Sequence, residues 1–155
     1  MDLANRLKVL ELLDQHRVMS LATLRPDGWP QVTTVGYAHD GLRLYFLCAP
    51  DSQKAANLAR DNRVSLTIDE DKPMVMQITG LSMAARADRI TDAAEAAKVL
   101  PLIMARYPEH AAMGLPMPAL ADIALFRVTP TVISVLDYGK GFGHADLALC
   151  GPDEI

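Results

Sequence analysis

Three consecutive polar residues, Ser52, Gln53 and Lys54, stand where a strand-like segment gives way to a helical one. Residues 44–48 are rich in β-forming side chains, whereas residues 53–60 have the alanine and leucine spacing of a helix. The first turn of such a helix leaves backbone N–H groups unpaired at the positive end of the helix dipole. With the ammonium group of Lys54 beside it, this helix start is suited to bind a phosphate group.

The same residues also have a purely structural interpretation. Asp51 or Ser52 is expected to cap the helix, since their side-chain oxygens accept hydrogen bonds from first-turn N–H groups. In that case Lys54 lies in solvent and no ligand is involved. The residues alone leave both interpretations open.

A second polar feature is the pair Thr33 and Thr34, followed by Val35, in a predicted strand over residues 30–38. Their hydroxyl groups and strand amides could lie along the edge of a ligand. Threonine is also common in ordinary strands because its branched side chain suits the pleated backbone. The pattern is therefore compatible with a site without requiring one.

Other arrangements with catalytic potential are weak. The histidines are His16, His39, His110 and His144. They lack metal-ligand spacing, so no metal site is predicted. His144 and Asp146 could form a base and its orienting carboxylate, but no serine has the context of a hydrolase nucleophile. The catalytic residues therefore remain unknown at this level.

Composition sets the class of protein. The 155 residues fit a single domain, predicted to span residues 1–155, and half of them are hydrophobic. The formal net charge of −4, without a cluster of Lys or Arg, argues against a nucleic-acid partner. No apolar run approaches the roughly 20 residues of a membrane span, and the first residues lack a secretory signal, so a cytoplasmic protein with reduced cysteines is expected.

The order of predicted segments defines the fold class. We predict helices near residues 3–16 and 53–60 and from residue 91 onward, the last kinked or interrupted by Pro101. Strands are predicted at 17–24, 30–38, 42–48, 64–68, 74–89 with a bulge or bend at Gly80, 123–128 and 132–138. Residues 108–118 are predicted as an irregular loop, 129–131 as a tight turn, and 139–146 as a glycine-rich tail. Short connections between strands favour a mainly β (α+β) antiparallel barrel with flanking helices.

These segments resemble the pyridoxamine 5′-phosphate oxidase-like family over nearly the whole chain. The resemblance lies in Ser52-Gln53-Lys54 after an aromatic strand, in residues 30–34 after Asp27-Gly28, in the strand at Gly80, and in residues 138–144. It implies a Greek-key split β-barrel and a homodimer with FMN in a cleft between its subunits. It also implies an FMN-dependent oxidoreductase acting on a small organic substrate.

The resemblance also implies a set of cofactor-binding residues. They are Thr33, Thr34, Val35, Leu47, Cys48, Ser52, Gln53, Lys54, Gln77, Lys140 and Phe142. Ser52 and Lys54 would hold the FMN phosphate with Gln53 beside them, whereas residues 33–35 would line the flavin ring and ribityl chain. Gln77 would contact the ribityl chain or phosphate, and the partner subunit would supply the segment around Lys140 and Phe142.

Two departures from the family pattern bear on the substrate. Members that process vitamin B6 carry Arg at the positions of Thr33 and Gln53 and end in a basic segment, whereas this chain ends in residues 152–155, PDEI. Fewer cations weaken the binding of a phosphorylated substrate. Pyridoxamine phosphate is therefore not the expected substrate. The alternatives are a deazaflavin-dependent reductase or a non-catalytic flavin- or haem-binding protein resembling general stress proteins.

Overall fold

The computed structural model of the protein describes residues 1–151 and 155; the acidic residues 153 and 154 noted in the sequence lie outside the described residues. The helices are α1 Leu3–Gln15, α2 Gln53–Arg60, α3 Ala93–Arg106 and α4 Pro108–Ala112. The strands are β1 Val18–Leu24, β2 Pro30–Gly36, β3 Ala38–Asp40, β4 Arg43–Cys48, β5 Arg63–Asp69, β6 Thr79–Arg89, β7 Ala124–Asp137 and β8 Ala145–Leu149. Short 3₁₀ turns occupy Val75–Gln77, Leu120–Asp122 and Tyr138–Lys140.

The strands form one antiparallel sheet that closes on itself. Its order is β2-β1-β5-β6-β7-β4-β3, with β8 added to β7. Only Tyr37 separates β2 from β3, so the two ends of this path are consecutive in the chain. The pairings of β1 with β5 and of β4 with β7 give the crossed connections of a Greek key. The predicted antiparallel barrel with flanking helices is confirmed.

Alternation of side chains fills the barrel. In β5, Val64, Leu66 and Ile68 are buried, whereas the residues between them are exposed. The interior is completed by residues such as Leu21, Phe46 and Ile133. A second apolar cluster forms where α3 packs on β3, β4 and β7. Helix α2 lies against β1 and β6, which places its first turn near the end of β4.

The outward side of the sheet carries a row of hydroxyl side chains. Thr34, Ser20, Thr67, Ser82 and Ser134 are successive register partners across β2, β1, β5, β6 and β7. We call these five residues the hydroxyl row. The row continues to Leu147 on β8, whose side chain is exposed. The centre of this face therefore presents small, uncharged side chains.

The predicted turn at residues 129–131 was wrong, because β7 runs through it as one strand. The pairing of β6 with β7 shifts register between Ala84 and Ala85, which leaves Thr131 as an additional residue. The Thr131 hydroxyl donates to the carbonyl of Ala84 at 3.0 Å. Pro130 sits beside this bulge, where a missing N–H donor is tolerated. The residues 129–131 that predicted a turn therefore form a β-bulge within a continuous strand.

Other boundaries also differ from the predictions. Gly80 is not a bulge; a Cβ there would lie 2.9 Å from the carbonyl oxygen of Ile68, so the glycine permits close packing of β5 on β6. Strand β6 begins at Thr79, whereas the predicted strand began at residue 74. Pro101 lies inside α3 without ending it, and the first part of the predicted loop 108–118 is α4. Strand β8 begins at Ala145, within the predicted glycine-rich tail 139–146, and was missed.

Among the described residues, no helix has the length and apolar character needed to cross a membrane. The same part of the chain contains no group of histidine, cysteine and acidic side chains arranged to hold a metal ion.

Candidate functional site

The first turn of α2 is organised by Ser52. Its hydroxyl accepts a hydrogen bond from the Ala55 amide at 3.2 Å, and its carbonyl accepts from the Ala56 amide at 3.1 Å. Ser52, rather than Asp51, is therefore the cap. The amides of Gln53 and Lys54 precede these and have no acceptor within the helix, as expected for a helix start. Two backbone donors thus remain at the positive end of α2.

Lys54 adds a cation to this helix start. Its side chain is half-buried, and it forms no ion pair with the residues that the structure describes. Burial lowers the pKa of Lys54 from its ordinary value, while the nearby thiol of Cys48 acts in the opposite direction. The Ser52 hydroxyl donates toward the Cys48 sulfur at 3.5 Å. A partly dehydrated ammonium group without a counter-ion is stabilised by an anion.

We call Ser52, Gln53 and Lys54, with their backbone amides, the phosphate cradle. A network of side-chain amides fixes its position. Gln53 Nε2 donates to Asn57 Oδ1 at 2.9 Å, and Asn57 Nδ2 donates to Thr23 Oγ1 at 3.0 Å and to Gln31 Oε1 at 3.1 Å. Asn57 has 0% exposure. This residue ties the cradle to β1 and β2, and sequence reasoning missed it; its only signal was an amide within the predicted helix.

Of the three predicted residues of β2, Thr33 and Val35 lie on the covered face of the strand and Thr34 lies on the opposite face. Thr33 Oγ1 is buried and has no hydrogen-bond partner among the described residues. Thr34 is exposed on the outward face, and Val35 is buried in the barrel core. Because a buried hydroxyl without a partner is costly, Thr33 is a natural contact for a polar ligand atom. Val35 could contact a ligand only through its backbone.

Leu47 and Cys48 end β4 directly before the cradle, and both are half-buried. Cys48 packs against the barrel core, whereas Leu47 packs against the cluster under α3. The structure therefore brings Cys48 into contact with the cradle and turns the Leu47 side chain elsewhere.

Gln77, Lys140 and Phe142 form a separate group at two adjoining 3₁₀ turns. The Tyr138 amide donates to the Ile78 carbonyl at 3.0 Å, which joins the turns. Lys140 Nζ lies 2.6 Å from Asp146 Oδ2, and this hydrogen bond raises the pKa of Lys140. Phe142 is 77% exposed and contacts the Tyr138 ring. In one protomer these side chains face solvent or each other.

Strand β7 separates the two groups. Cys48 pairs with Ala124 at its first residue, whereas Thr79, which follows the turn containing Gln77, pairs with Asp137 at its last. The 14 residues of β7 span roughly 40 Å along their contour at about 3.3 Å per residue. The two groups therefore lie at opposite ends of this strand, and no hydrogen bond among the described residues joins Gln77, Lys140 or Phe142 to the cradle.

The cradle fits a phosphorylated ligand, because its first-turn amides and the Lys54 ammonium are groups that a phosphate ester satisfies. The unpartnered hydroxyl of Thr33 on β2 is a further contact for a polar ligand atom. A closed antiparallel barrel with such a helix start defines the split-barrel class of proteins.

Comparison of the sequence with known families agrees with this class. Residues 7–137 match the family described as pyridoxamine 5′-phosphate oxidase. The chain therefore belongs to this family.

Individual relatives are more distant. General stress protein 26 of Bacillus subtilis (strain 168) is 34% identical over 64 residues, which are 41% of this chain and 45% of that protein. A haem-binding protein from Mycobacterium smegmatis has a TM-score of 0.73 at 18% identity, over 89% of this chain and 55% of its own. An FAD-binding protein from Mesorhizobium loti has a TM-score of 0.67 at 21% identity, over 87% and 94% of the two chains. Both structures share the fold of this chain.

Proposed function

We propose that this protein is an FMN-dependent oxidoreductase that acts on a small organic substrate. The observation that carries the proposal is the Lys54 ammonium group, which is half-buried and without an ion pair among the described residues on the first turn of α2. When bound, the flavin would supply the transfer of electrons or hydride. The proposed cytoplasmic location stays a prediction.

The chain's own residues would bind and orient the cofactor. Ser52 and Lys54, with the first-turn amides, would hold the phosphate, and Asn57 would keep Gln53 in place. The amides of β2 and the Thr33 hydroxyl would meet the ribityl chain and the ring edge. We assign no proton-transfer residue, since the cradle contains neither a carboxylate nor an imidazole.

Pyridoxamine phosphate is not the proposed substrate. Lys54 is the single cation of the cradle, because Gln53 and Thr33 are neutral where vitamin-processing members carry Arg. One ammonium group would be engaged by the phosphate of FMN itself. A neutral or weakly charged substrate agrees better with this charge distribution.

We further propose that two copies associate through the outward face that carries the hydroxyl row. This face lacks charges in its centre, and the apolar side chains of Val18, Val32, Leu147 and Leu149 are exposed around it. Exposed apolar patches of this kind mark interaction surfaces. Association there would allow the partner's turn around Lys140 and Phe142 to complete the cradle.

An arginine in the hydroxyl row tests the dimer. Ser82→Arg places a charge at the centre of the face, and Ala97→Arg is the control on the exposed side of α3. Light scattering after size exclusion should give a dimer for the wild type and the control and a monomer for Ser82→Arg, with weaker flavin binding. A dimeric Ser82→Arg protein, or a monomeric wild type, would contradict the proposed interface.

A second candidate function, haem binding without turnover, is favoured by one pair of residues. His144 Nε2 lies 3.1 Å from Asp146 Oδ1, and an imidazole oriented by a carboxylate is a common metal ligand. The visible spectrum of the purified protein separates the two functions. Two flavin bands support the oxidoreductase, whereas a Soret band that disappears in His144→Ala supports haem.

A further inference from the structure

A recess of about 570 Å³ lies directly beyond the phosphate cradle. It is lined by Arg25, Pro26, Asp27, Gln31 and Gln53. Gln31 and Gln53 both bond to Asn57, so the recess and the cradle share the same amide network. A ligand whose phosphate lies on α2 therefore has open space next to that phosphate, between the helix start and the turn that joins β1 to β2.

The sole tryptophan of the chain, Trp29, does not itself line the recess but stands two residues before Gln31, which does. Gln31 points toward α2, and side chains two residues apart in a strand share a face, so Trp29 and Thr33 point to the same side. Trp29 continues the strand geometry, because its carbonyl accepts from the Arg25 amide at 2.9 Å. Its side chain is 71% exposed. Thr33, Gln31 and Trp29 thus form a line from the barrel to the rim.

Arg25 places a cation in the same recess. Its Nη2 lies 2.6 Å from Asp27 Oδ2, and Asp27 Oδ1 accepts from the Trp29 amide at 3.1 Å. These two bonds fix the guanidinium on the turn. A guanidinium has five N–H donors, so this ion pair leaves donors available for a phosphate oxygen.

We propose that the recess binds a second nucleotide joined to the phosphate on α2, so that the site prefers FAD to FMN. The second phosphate would accept hydrogen bonds from Arg25. The adenine ring would stack on the Trp29 indole, since aromatic side chains stack on the flat face of any base. This inference rests on the proposed function, because it takes the cradle as the binding site of the first phosphate. Because FAD contains the whole of FMN, the proposed flavin chemistry is unchanged and only the adenylate half is added.

The test compares the dissociation constants of FAD, FMN and riboflavin by titration calorimetry of the apoprotein. We expect FAD to bind about tenfold more tightly than FMN. Trp29→Leu and Arg25→Gln should each remove most of this advantage and leave the FMN constant within about twofold, and Trp29→Phe should retain part of it. Trp29 is exposed, so its replacement should not disturb folding.

Arg63→Gln is the matched control, because Arg63 also pairs with an aspartate two residues away but lies outside the recess. It should keep the preference for FAD. Equal affinities for FAD and FMN, or a preference that survives both Trp29→Leu and Arg25→Gln, would overturn this inference while leaving the proposed function intact. Failure of every flavin to bind would overturn both.

Discussion

The side-chain amide of Asn57 on α2 donates to the hydroxyl of Thr23 on β1 at 3.0 Å, and both residues are buried. The same amide donates to Gln31 and accepts from Gln53, so one side chain connects the cradle to two strands. The position of the cradle relative to β2 thus depends on a polar contact inside the protein. This relationship leads to the first prediction.

Asn57→Leu should lower the free energy of unfolding by roughly 1–3 kcal/mol, because it leaves the buried hydroxyl of Thr23 and the half-buried amide of Gln31 without this partner. It should also weaken the binding of FMN more than the binding of riboflavin, since only FMN has a phosphate to place in the cradle. Urea denaturation and flavin titration measure the two effects. Asn62→Leu, which removes an amide bonded to Asp88, is the control and should change stability alone. An unchanged ratio of FMN to riboflavin affinity in Asn57→Leu would exclude its role in positioning the cradle.

The depressed pKa of Lys54 predicts a pH dependence for FMN binding. Burial favours the neutral amine in the free protein, whereas a bound phosphate favours the ammonium form, so binding takes up a proton in the alkaline range. FMN affinity should therefore fall as the pH rises through the lowered pKa of Lys54. Riboflavin has the same ring but no phosphate, so its affinity should lack the pH dependence that comes from Lys54. Comparing the two flavins therefore corrects for ionisation of the ring itself.

Lys54→Arg is the matched variant, because a guanidinium stays protonated throughout this range. Its FMN affinity should be flatter with pH than that of the wild type. A wild-type profile identical to that of Lys54→Arg would show that Lys54 does not pair with the phosphate.

Arg106 supports the end of α1 from another helix. Its guanidinium donates to the carbonyls of Leu13 at 2.8 Å and Asp14 at 3.2 Å, and to that of His16. Helix α1 has no basic residue in its own last turn. Arg106→Met should lower the free energy of unfolding by roughly 1.5–3 kcal/mol, since these are hydrogen bonds from a charged donor.

Chemical denaturation measures this loss, with Lys8→Met as a surface control that breaks only an exposed pair with Glu11. The control should cost less than about 1 kcal/mol. Equal stability losses in the two variants would refute the assignment of Arg106 as the support of α1.

Gly80 should tolerate no side chain. A Cβ would lie 2.9 Å from the Ile68 carbonyl oxygen and 3.1 Å from Asp69 Cβ, and both belong to the paired strand β5. Gly80→Ala should destabilise the protein by roughly 1–3 kcal/mol, as overpacked cores do. Thermal unfolding should show a Tm lower by about 2–4 °C per kcal/mol, whereas Ser82→Ala, on the same strand, should be close to neutral. If Gly80→Ala had the Tm of the wild type, β5 and β6 could accommodate the added Cβ without loss of stability, and the close packing at Gly80 would not be required.

Local sequence was enough to predict the barrel and the helix start. Residues 44–60 contain a strand, a cap and a helix within one short segment, and Ser52 caps α2 as one of the two predicted candidates. The turn predicted at residues 129–131 was wrong, because these residues form a β-bulge. A bulge depends on the register of the partner strand, which the local sequence does not determine.

The residues that sequence reasoning missed act over long separations. Asn57 meets Thr23 34 residues away, and Arg106 meets Leu13 93 residues away. Such contacts become visible only when the fold is known. Gln77 and Lys140 were predicted as cofactor contacts by resemblance, and they lie at the opposite end of β7 from the strand residue that pairs with Cys48. Their role remains a prediction that depends on the dimer.

The most direct measurement is a calorimetric titration of the wild-type apoprotein with FMN and with riboflavin, which differ by the phosphate group alone. The account predicts saturable FMN binding at one flavin per protomer, with riboflavin weaker by about tenfold or more, because charge-assisted bonds to the phosphate are lost. Equal affinity for the two flavins, or no binding of either, would contradict the assignment of Ser52, Gln53 and Lys54 as a phosphate cradle.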